Sequence, residues 1–459
     1  MKRLSPQTWT QAHYDRTARG IGVVHFGIGA FARAHLAWYT DRAMAQSGGD
    51  WMIVGVSLRS AGVAEQLNPQ SGLYTLAVKS GAAPSLAVIA SVAKVLVAAD
   101  EPEAVIAALA SPTTRIVSFT VTEKGYCRAA DGSLDRDLAR DGSIYHWLQQ
   151  GLAQRRAGGL DGITLLSCDN LADNGRQLQR LLREWLLPID ADLADWVESR
   201  CTFPCSMVDR IVPATTEADR AGIADRLGLR DEGAISTEPF SQWVIEDAFA
   251  AGRPAWDGAG ATIVSDVAPY ETAKLRMLNG AHSALAYGGL RRGYTYVHEA
   301  IADAGLRAQV LQLMVQEAAP VIATAPGQDL DAYAHDLIAR FENPALNHRL
   351  IQIAMDGSQK IPQRWLATLA ENQRADRRCP AILAAIGAWL AHLRGDNVAA
   401  WGLVDDPLSV ELAGIVARHD ADDLAAALFG PGGVMQSAWQ PDAADARAIA
   451  QAIGERASA

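Results

Sequence analysis

Residues 271–282, Glu-Thr-Ala-Lys-Leu-Arg-Met-Leu-Asn-Gly-Ala-His, set an acid, a lysine, an amide and an imidazole into a stretch that otherwise reads as buried helix. The apolar character continues through Ser283-Ala-Leu-Ala-Tyr287. At about 100° per residue, with Lys274 as zero, Glu271 stands at roughly 60°, His282 at roughly 80° and Asn279 at roughly 140°, so the four share one side of an α-helix. Burial disfavours a charged ammonium and lowers its pKa. A lysine tuned in that way can take and return a proton. The plain alternative is a solvated face on an amphipathic helix. Leu275 and Leu278 fall on the same arc, which favours a site.

A second constellation lies near the start of the chain. Gly27-x-Gly29-x-x-Ala32 follows the apolar run Gly22-Val-Val-His-Phe26 and precedes a helix-like stretch from Arg33 to Met44. This is the spacing of a dinucleotide-binding loop. The first glycine makes the tight turn, the second lets backbone approach a pyrophosphate, and a small third residue allows close helix–strand packing. Phe26, Gly27, Ile28, Gly29, Ala30, Phe31, Ala32 and Arg33 are therefore the candidate cofactor-binding residues, with NAD as the expected cofactor. The ribose carboxylate expected about 20 residues further on is missing, because the second strand runs out in Ser57-Leu-Arg59-Ser60. Arg59 suits a 2′-phosphate or the adenine face, which leaves NADP open, and it equally fits a solvent-exposed arginine with no cofactor role.

The elements that position these residues change character along the chain. Apolar strand patterns at 22–26, 51–56, within 86–97, at 114–121 and at 162–167 alternate with helical segments near 101–109 and 144–155. Such alternation predicts an α/β fold, a doubly wound, mainly parallel sheet with helices on both faces. Beyond Tyr270 the text becomes Ala/Leu-rich, with helical segments at 272–290, 296–324, 329–341, 345–355, 380–394 and 408–418. A dinucleotide-binding domain over 1–268 and a mainly α-helical substrate domain over 269–459 are expected. The reactive helix would open the second.

With 459 residues and 49% hydrophobic content, two domains can each bury a sizeable core. A net charge of −11 argues against nucleic acid or an anionic membrane as the main partner. The five scattered cysteines suit reduced thiols, and Cys201 and Cys205 read as small core residues. No Cys/His cluster has metal-ligand spacing, so metal-independent chemistry is expected. The first residues carry no apolar signal core, which predicts a cytoplasmic protein. A monomer or small homo-oligomer acting on a small molecule is the expected form.

The ordered blocks His25-Phe-Gly-Ile-Gly-Ala-Phe-Ala-Arg-Ala-His35, Thr120-Val-Thr-Glu-Lys-Gly-Tyr126, Ser167-Cys-Asp-Asn-Leu171 and Phe203-Pro-Cys-Ser-Met-Val-Asp-Arg-Ile211 continue with Lys274-x4-Asn279-x2-His282 and Ile353-Ala-Met-Asp-Gly-Ser-Gln-Lys-Ile-Pro362. Together they resemble the polyol-specific long-chain dehydrogenase/reductase (mannitol dehydrogenase) family over nearly the whole chain. The resemblance implies Lys274 as general acid/base, with Asn170 and Asn279 polarising the substrate oxygen. It implies that His282 orients the substrate, that Asp209 and Lys360 contact it, and that Glu271 links the lysine to solvent. Gln352 stands where mannitol enzymes carry an arginine, and the surrounding wording is more similar to the fructuronate reductase branch. Ala32 replaces a histidine common in the family's nucleotide loop.

The resemblance thus implies an NAD(P)-dependent oxidoreductase interconverting D-fructuronate and D-mannonate, with D-mannitol/D-fructose or another polyol as the alternative. A non-catalytic nucleotide sensor is the remote one. A carboxylate substrate asks for a cation, and Arg33, Arg276, Arg349, Lys360 and Arg364 are the candidates. Tyr270-x3-Lys274 matches the Tyr/Lys pair of short-chain dehydrogenases. Those chains are shorter and place a serine where this one has Asp257, so Tyr270 is read as packing at a helix start.

Overall fold

The structure, a computed structural model, describes residues 1–81 and 83–454. The chain forms two compact units, Met1–Val267 and Ala268–Ala459.

In the first unit five parallel strands lie in the spatial order Val92–Val97, Met52–Ser57, Ile21–Phe26, Ile116–Phe119, Thr164–Ser167. Numbered along the chain, this is the order 3-2-1-4-5 of a dinucleotide-binding sheet. Successive residues supply opposite faces, as the two-residue strand period requires. Val23, Ile53, Val95 and Ile116 join one core with the helix Leu36–Ser47. Val24, Val54, Leu96 and Val117 join another with the helices Pro102–Leu109, Ile144–Ala157 and Asn174–Leu186. Each buried aliphatic side chain contributes about 1.5–3 kcal/mol. The sheet is covered on both sides, as the strand–helix alternation predicted.

Two three-stranded sheets flank this core and were not anticipated as such. One orders Thr262–Val264, Gln242–Glu246 and Ser206–Asp209; the other Ser85–Ile89, Tyr74–Val78 and Ile235–Thr237. The apolar stretch 86–97 therefore divides between sheets. At the break, Ser91 Oγ donates to the Ala37 carbonyl at 2.7 Å and the Ala90 amide to the Asp41 carboxylate at 2.8 Å.

The second unit is helical, with no named strand among its described residues. Its central helix Gly280–Arg291 packs on Pro380–Leu393, which in turn packs on Ala443–Gly454. Trp365, Trp389 and Trp439 are fully buried among them.

Three expected helices are corrected. The stretch 272–290 is not one α-helix: Ala268–Ala273 and Gly280–Arg291 are joined by a π-helical segment, Lys274–Asn279. The stretch 296–324 breaks into Val297–Ala302, Ala304–Gln312, a second π segment Leu313–Ala318 and a 3-10 turn. Asp303 makes the first of these breaks by capping the Leu306 amide at 2.9 Å. The stretch 345–355 shrinks to Leu350–Ile353, because Asn347 adopts the left-handed conformation just before it.

Candidate active site

The strand Ile21–Phe26 runs into Gly27, whose φ of +89° a side chain rarely adopts. A Cβ there would lie 2.2 Å from the Thr120 carbonyl oxygen. Thr120 Oγ1 donates to the Gly27 carbonyl at 2.7 Å, and the Gly27 amide donates to the Val56 carbonyl at 2.9 Å. The loop is thus tied to both neighbouring strands. Gly29 is different. A Cβ built on it would meet only the Gly27 oxygen, at 3.8 Å, so the space beside it is open and a side chain would fill it. A pyrophosphate needs that room. Ile28 and Ala32 are buried, Ala30 begins the following helix, and Phe31 stacks on His35 with centroids 5.1 Å apart. The expected continuous helix 33–44 breaks at His35 into Ala30–Ala34 and Leu36–Ser47.

Arg33 braces this loop from inside the protein. Its guanidinium donates to the Gly233 carbonyl at 2.7 Å and the Gly29 carbonyl at 3.3 Å, and lies over the Tyr74 ring. Arg59 is exposed, just past the strand Met52–Ser57. His25, singled out by nothing in the sequence beyond its place in a motif, is fully buried. Its ring nitrogens lie 2.8 Å from Ser118 Oγ and 2.9 Å from Thr120 Oγ1. Burial pulls its pKa down to about 3, so it is a neutral strut holding Thr120 to the loop. An open Gly29 on a pinned loop with a buried Ala32 fits a dinucleotide.

Asn170 is exposed, three residues past the strand Thr164–Ser167. Its neighbour Asp169 was missed by sequence reasoning. The buried Asp169 carboxyl accepts from the amides of Val121 at 3.1 Å and Thr122 at 2.8 Å, and from the Tyr126 hydroxyl at 3.0 Å. Burial pushes this carboxyl up from its ordinary value. The motif blocks 120–126 and 167–171 are therefore two halves of one hydrogen-bonded structure that sets Asn170. Asp209 ends the strand Ser206–Asp209 opposite Gln242 and is buried. The adjacent Arg210 points to the carbonyls of Ala34 at 2.5 Å and Glu238 at 3.3 Å, and lies over the Trp38 ring.

In the second unit, Lys274 opens the π segment and Asn279 closes it. Its i→i+5 ladder turns the chain through a smaller angle per residue than an α-helix, so the facing computed from 100° steps does not hold across it. Isolated π turns are rare and recur at functional sites. This one packs against two other π segments of the unit, Leu313–Ala318 and Pro362–Leu366. Side chains of the last brace the junction where π register returns to α. Arg364 Nη1 donates to the Asn279 carbonyl at 3.3 Å and to Ser283 Oγ at 2.7 Å, and Trp365 Nε1 donates to the Gly280 carbonyl at 3.2 Å.

His282 follows on the same helix, its ring against Phe341 (centroids 4.7 Å) and His348 (5.4 Å). Burial, reinforced by His348, Arg340 and Arg364, holds its pKa well below the ordinary histidine value. It is a neutral imidazole. Glu271 lies half-buried on Ala268–Ala273, beside Tyr270. Lys360, on the helix Gly357–Ile361, donates to the carbonyls of Met355 at 2.5 Å and Ile353 at 3.5 Å and lies 3.9 Å from the Asp356 carboxylate. Burial and then Arg364 lower its pKa. Gln352 lines a cavity of about 200 Å³ with Met355, His392 and Asp405.

Among the described residues no three His, Cys, Asp or Glu side chains cluster to hold a metal, and no helix is long and apolar enough to cross a membrane. The five cysteines are free and buried, Cys201 and Cys205 included.

A dinucleotide-type sheet with a glycine loop, followed by a helical unit carrying a lysine and an amide on a π segment and a neutral imidazole on the α-helix after it, defines an oxidoreductase of the dehydrogenase class. Residues 21–258 match the mannitol dehydrogenase Rossmann domain and residues 266–456 the mannitol dehydrogenase C-terminal domain. The chain belongs to the mannitol dehydrogenase family. It is 41% identical to the D-mannonate oxidoreductase of Escherichia coli strain K12, over 92% of this chain and 90% of that protein. It is 39% identical to a mannitol 2-dehydrogenase of Phaeosphaeria nodorum, over 90% of this chain and 76% of that one. The solved ternary complex of Pseudomonas fluorescens mannitol 2-dehydrogenase with NAD and D-mannitol superposes with a TM-score of 0.79 at 34% identity, covering 98% of this chain and 96% of that one.

Proposed function

We propose that this oxidoreductase interconverts D-fructuronate and D-mannonate with NAD, with Lys274 as the general acid/base. The observation that carries the reading is the π segment that opens on Lys274, closes on Asn279 and is followed by a neutral His282. The 41% identity with a D-mannonate oxidoreductase over nine-tenths of the chain supports the substrate.

The loop from Phe26 to Ala32 would hold the dinucleotide, with Gly29 giving its phosphates room. When bound, the nicotinamide supplies the hydride acceptor or donor. In oxidation Lys274 Nζ takes the hydroxyl proton as the carbon loses hydride. Asn170 and Asn279 donate N–H bonds to the oxygen as negative charge builds on it. One such donor is typically worth about 2.7–4 kcal/mol. Neutral His282 orients the substrate by hydrogen bonding without adding charge, and Asp209 and Lys360 contact its hydroxyls. Glu271 passes the lysine's proton to solvent. In reduction the lysine starts protonated and the order reverses. No metal is assigned a role. Reduced, buried cysteines agree with a cytoplasmic setting.

The test is reduction of D-fructuronate and D-fructose, side by side, with NADH and NADPH. Fructuronate with NADH is expected to be fastest by at least about tenfold, or about 1.4 kcal/mol in activation free energy. Turnover of fructose alone would reject the hexuronate reading in favour of a mannitol 2-dehydrogenase, which the P. nodorum and P. fluorescens relatives favour.

A further inference from the structure

We propose that Arg364 binds the substrate's carboxylate and sets the preference for a sugar acid over a neutral ketose. This rests on the hexuronate reading above and deepens it.

Of the cations that the sequence offers for a carboxylate, the structure engages or exposes the others. Arg33 is buried against backbone carbonyls in the first unit. Arg276 is paired with Glu371 at 2.6 Å and donates to the Val321 carbonyl at 3.0 Å. Arg349 is exposed. The Lys360 ammonium is held by two backbone carbonyls and faces Asp356. Arg364 is half-buried, yet no carboxylate pairs with it among the described residues. Its Nη1 holds the Asn279 carbonyl and Ser283 Oγ, both neutral. Its Nε and Nη2 make no hydrogen bond among the described residues.

Three consequences follow from this geometry. Nη1 fixes the guanidinium against the backbone of Asn279, the amide assigned to the reacting oxygen, so the cation is positioned and not loosely tethered. The Nε–Nη2 edge presents two parallel N–H groups, the arrangement that receives a carboxylate in bidentate fashion. A half-buried cation without a protein counter-ion gains more from an anionic ligand than a solvated one does, because its own hydration is already reduced. Burial draws the Arg364 pKa down to about 10, still well above neutrality, so the group stays charged where the enzyme works. The neutral His282 nearby leaves that charge unopposed.

The experiment measures kcat and KM for D-fructuronate and D-fructose in the wild type, Arg364→Gln and Arg364→Lys, with thermal unfolding as the check on folding. Arg364→Gln is expected to lower kcat/KM for fructuronate by roughly 100-fold, mainly through KM, and to lower the fructuronate-to-fructose ratio at least tenfold. Arg364→Lys keeps the charge and loses the two-point contact, so it should recover part of that ratio. Should the glutamine variant not fold, a lysine variant with the wild-type ratio overturns the proposal. Equal losses on both substrates would mark Arg364 as a brace for Asn279 and overturn it too. A wild type active on fructuronate, with the ratio unchanged in Arg364→Gln, refutes this role alone. A wild type that reduces only fructose refutes the hexuronate reading, and this role with it.

Discussion

His25 and His282 are both held neutral by burial, and their surroundings differ in a way that separates scaffold from chemistry. Around His25 every polar atom of the ring has a partner, in Ser118 and Thr120, and the imidazole ties the glycine loop to the sheet. Around His282 the neighbours are rings, Phe341 tilted at 44° and His348 edge-on at 82°, with the charges of Arg340 and Arg364 close by. Its ring nitrogens make no hydrogen bond among the described residues. A satisfied imidazole adds stability. An imidazole packed against apolar and aromatic rings, with its nitrogens left over, can serve a ligand. Arg33 and Arg364 repeat the contrast: the first is engaged by backbone carbonyls of its own unit, the second keeps an unused edge.

The comparison can be broken first at Lys274. Lys274→Ala should cost about 10²–10⁴ in turnover while leaving dinucleotide binding, followed by protein fluorescence, and thermal unfolding nearly unchanged. Loss of folding instead would make the π segment a structural device. The two loop glycines give the next largest effects, of opposite kinds. Gly27→Ala puts a Cβ against the Thr120 oxygen at a φ of +89° and should destabilise the chain by at least about 1–3 kcal/mol in urea unfolding. Gly29→Ala meets no such obstacle, so its unfolding midpoint should stay put while dinucleotide affinity, read by titration, drops roughly tenfold or more, as the cradle is filled.

The histidines themselves come next. His25→Ala strands the Ser118 hydroxyl, takes one of two partners from the Thr120 hydroxyl, and should cost about 1–3 kcal/mol of stability. His282→Ala should act mainly on KM and kcat, and an equal loss of stability in both variants would erase the distinction drawn between them. The smallest effect is on pH dependence. Folded His25 stays neutral down to about pH 3, whereas the unfolded chain protonates it near 6.5. Between those values the unfolded state binds more protons, so stability falls as pH is lowered through that window. His282, also shifted down, adds in the same direction. Urea midpoints at pH 7 and pH 5 check this, and a midpoint that rises on acidification would contradict it.

Much of the first unit could be read directly. Apolar runs of strand length separated by helical periods specify a sheet covered on both faces, and Val23 and Val24 facing different cores follow from the two-residue period alone. The short flanking strands, such as Ile235–Thr237, could not, because three residues carry no periodicity. Asp169 is not legible from the block 167–171 alone, since an aspartate's role as a buried acceptor depends on the two amides and hydroxyl brought to it from 121–126.

The sequence by itself determined the class of fold, the glycine loop and the order of the motif blocks, because strand period, helix period and turn chemistry are settled within a few residues. Only the tertiary structure decided that Lys274–Asn279 winds as a π turn, and that Arg364, 85 positions beyond Asn279, closes on it with no carboxylate partner among the described residues. Helical register at such a turn and the pairing of a long cationic side chain depend on which distant segments pack against them. No local pattern of residues encodes that.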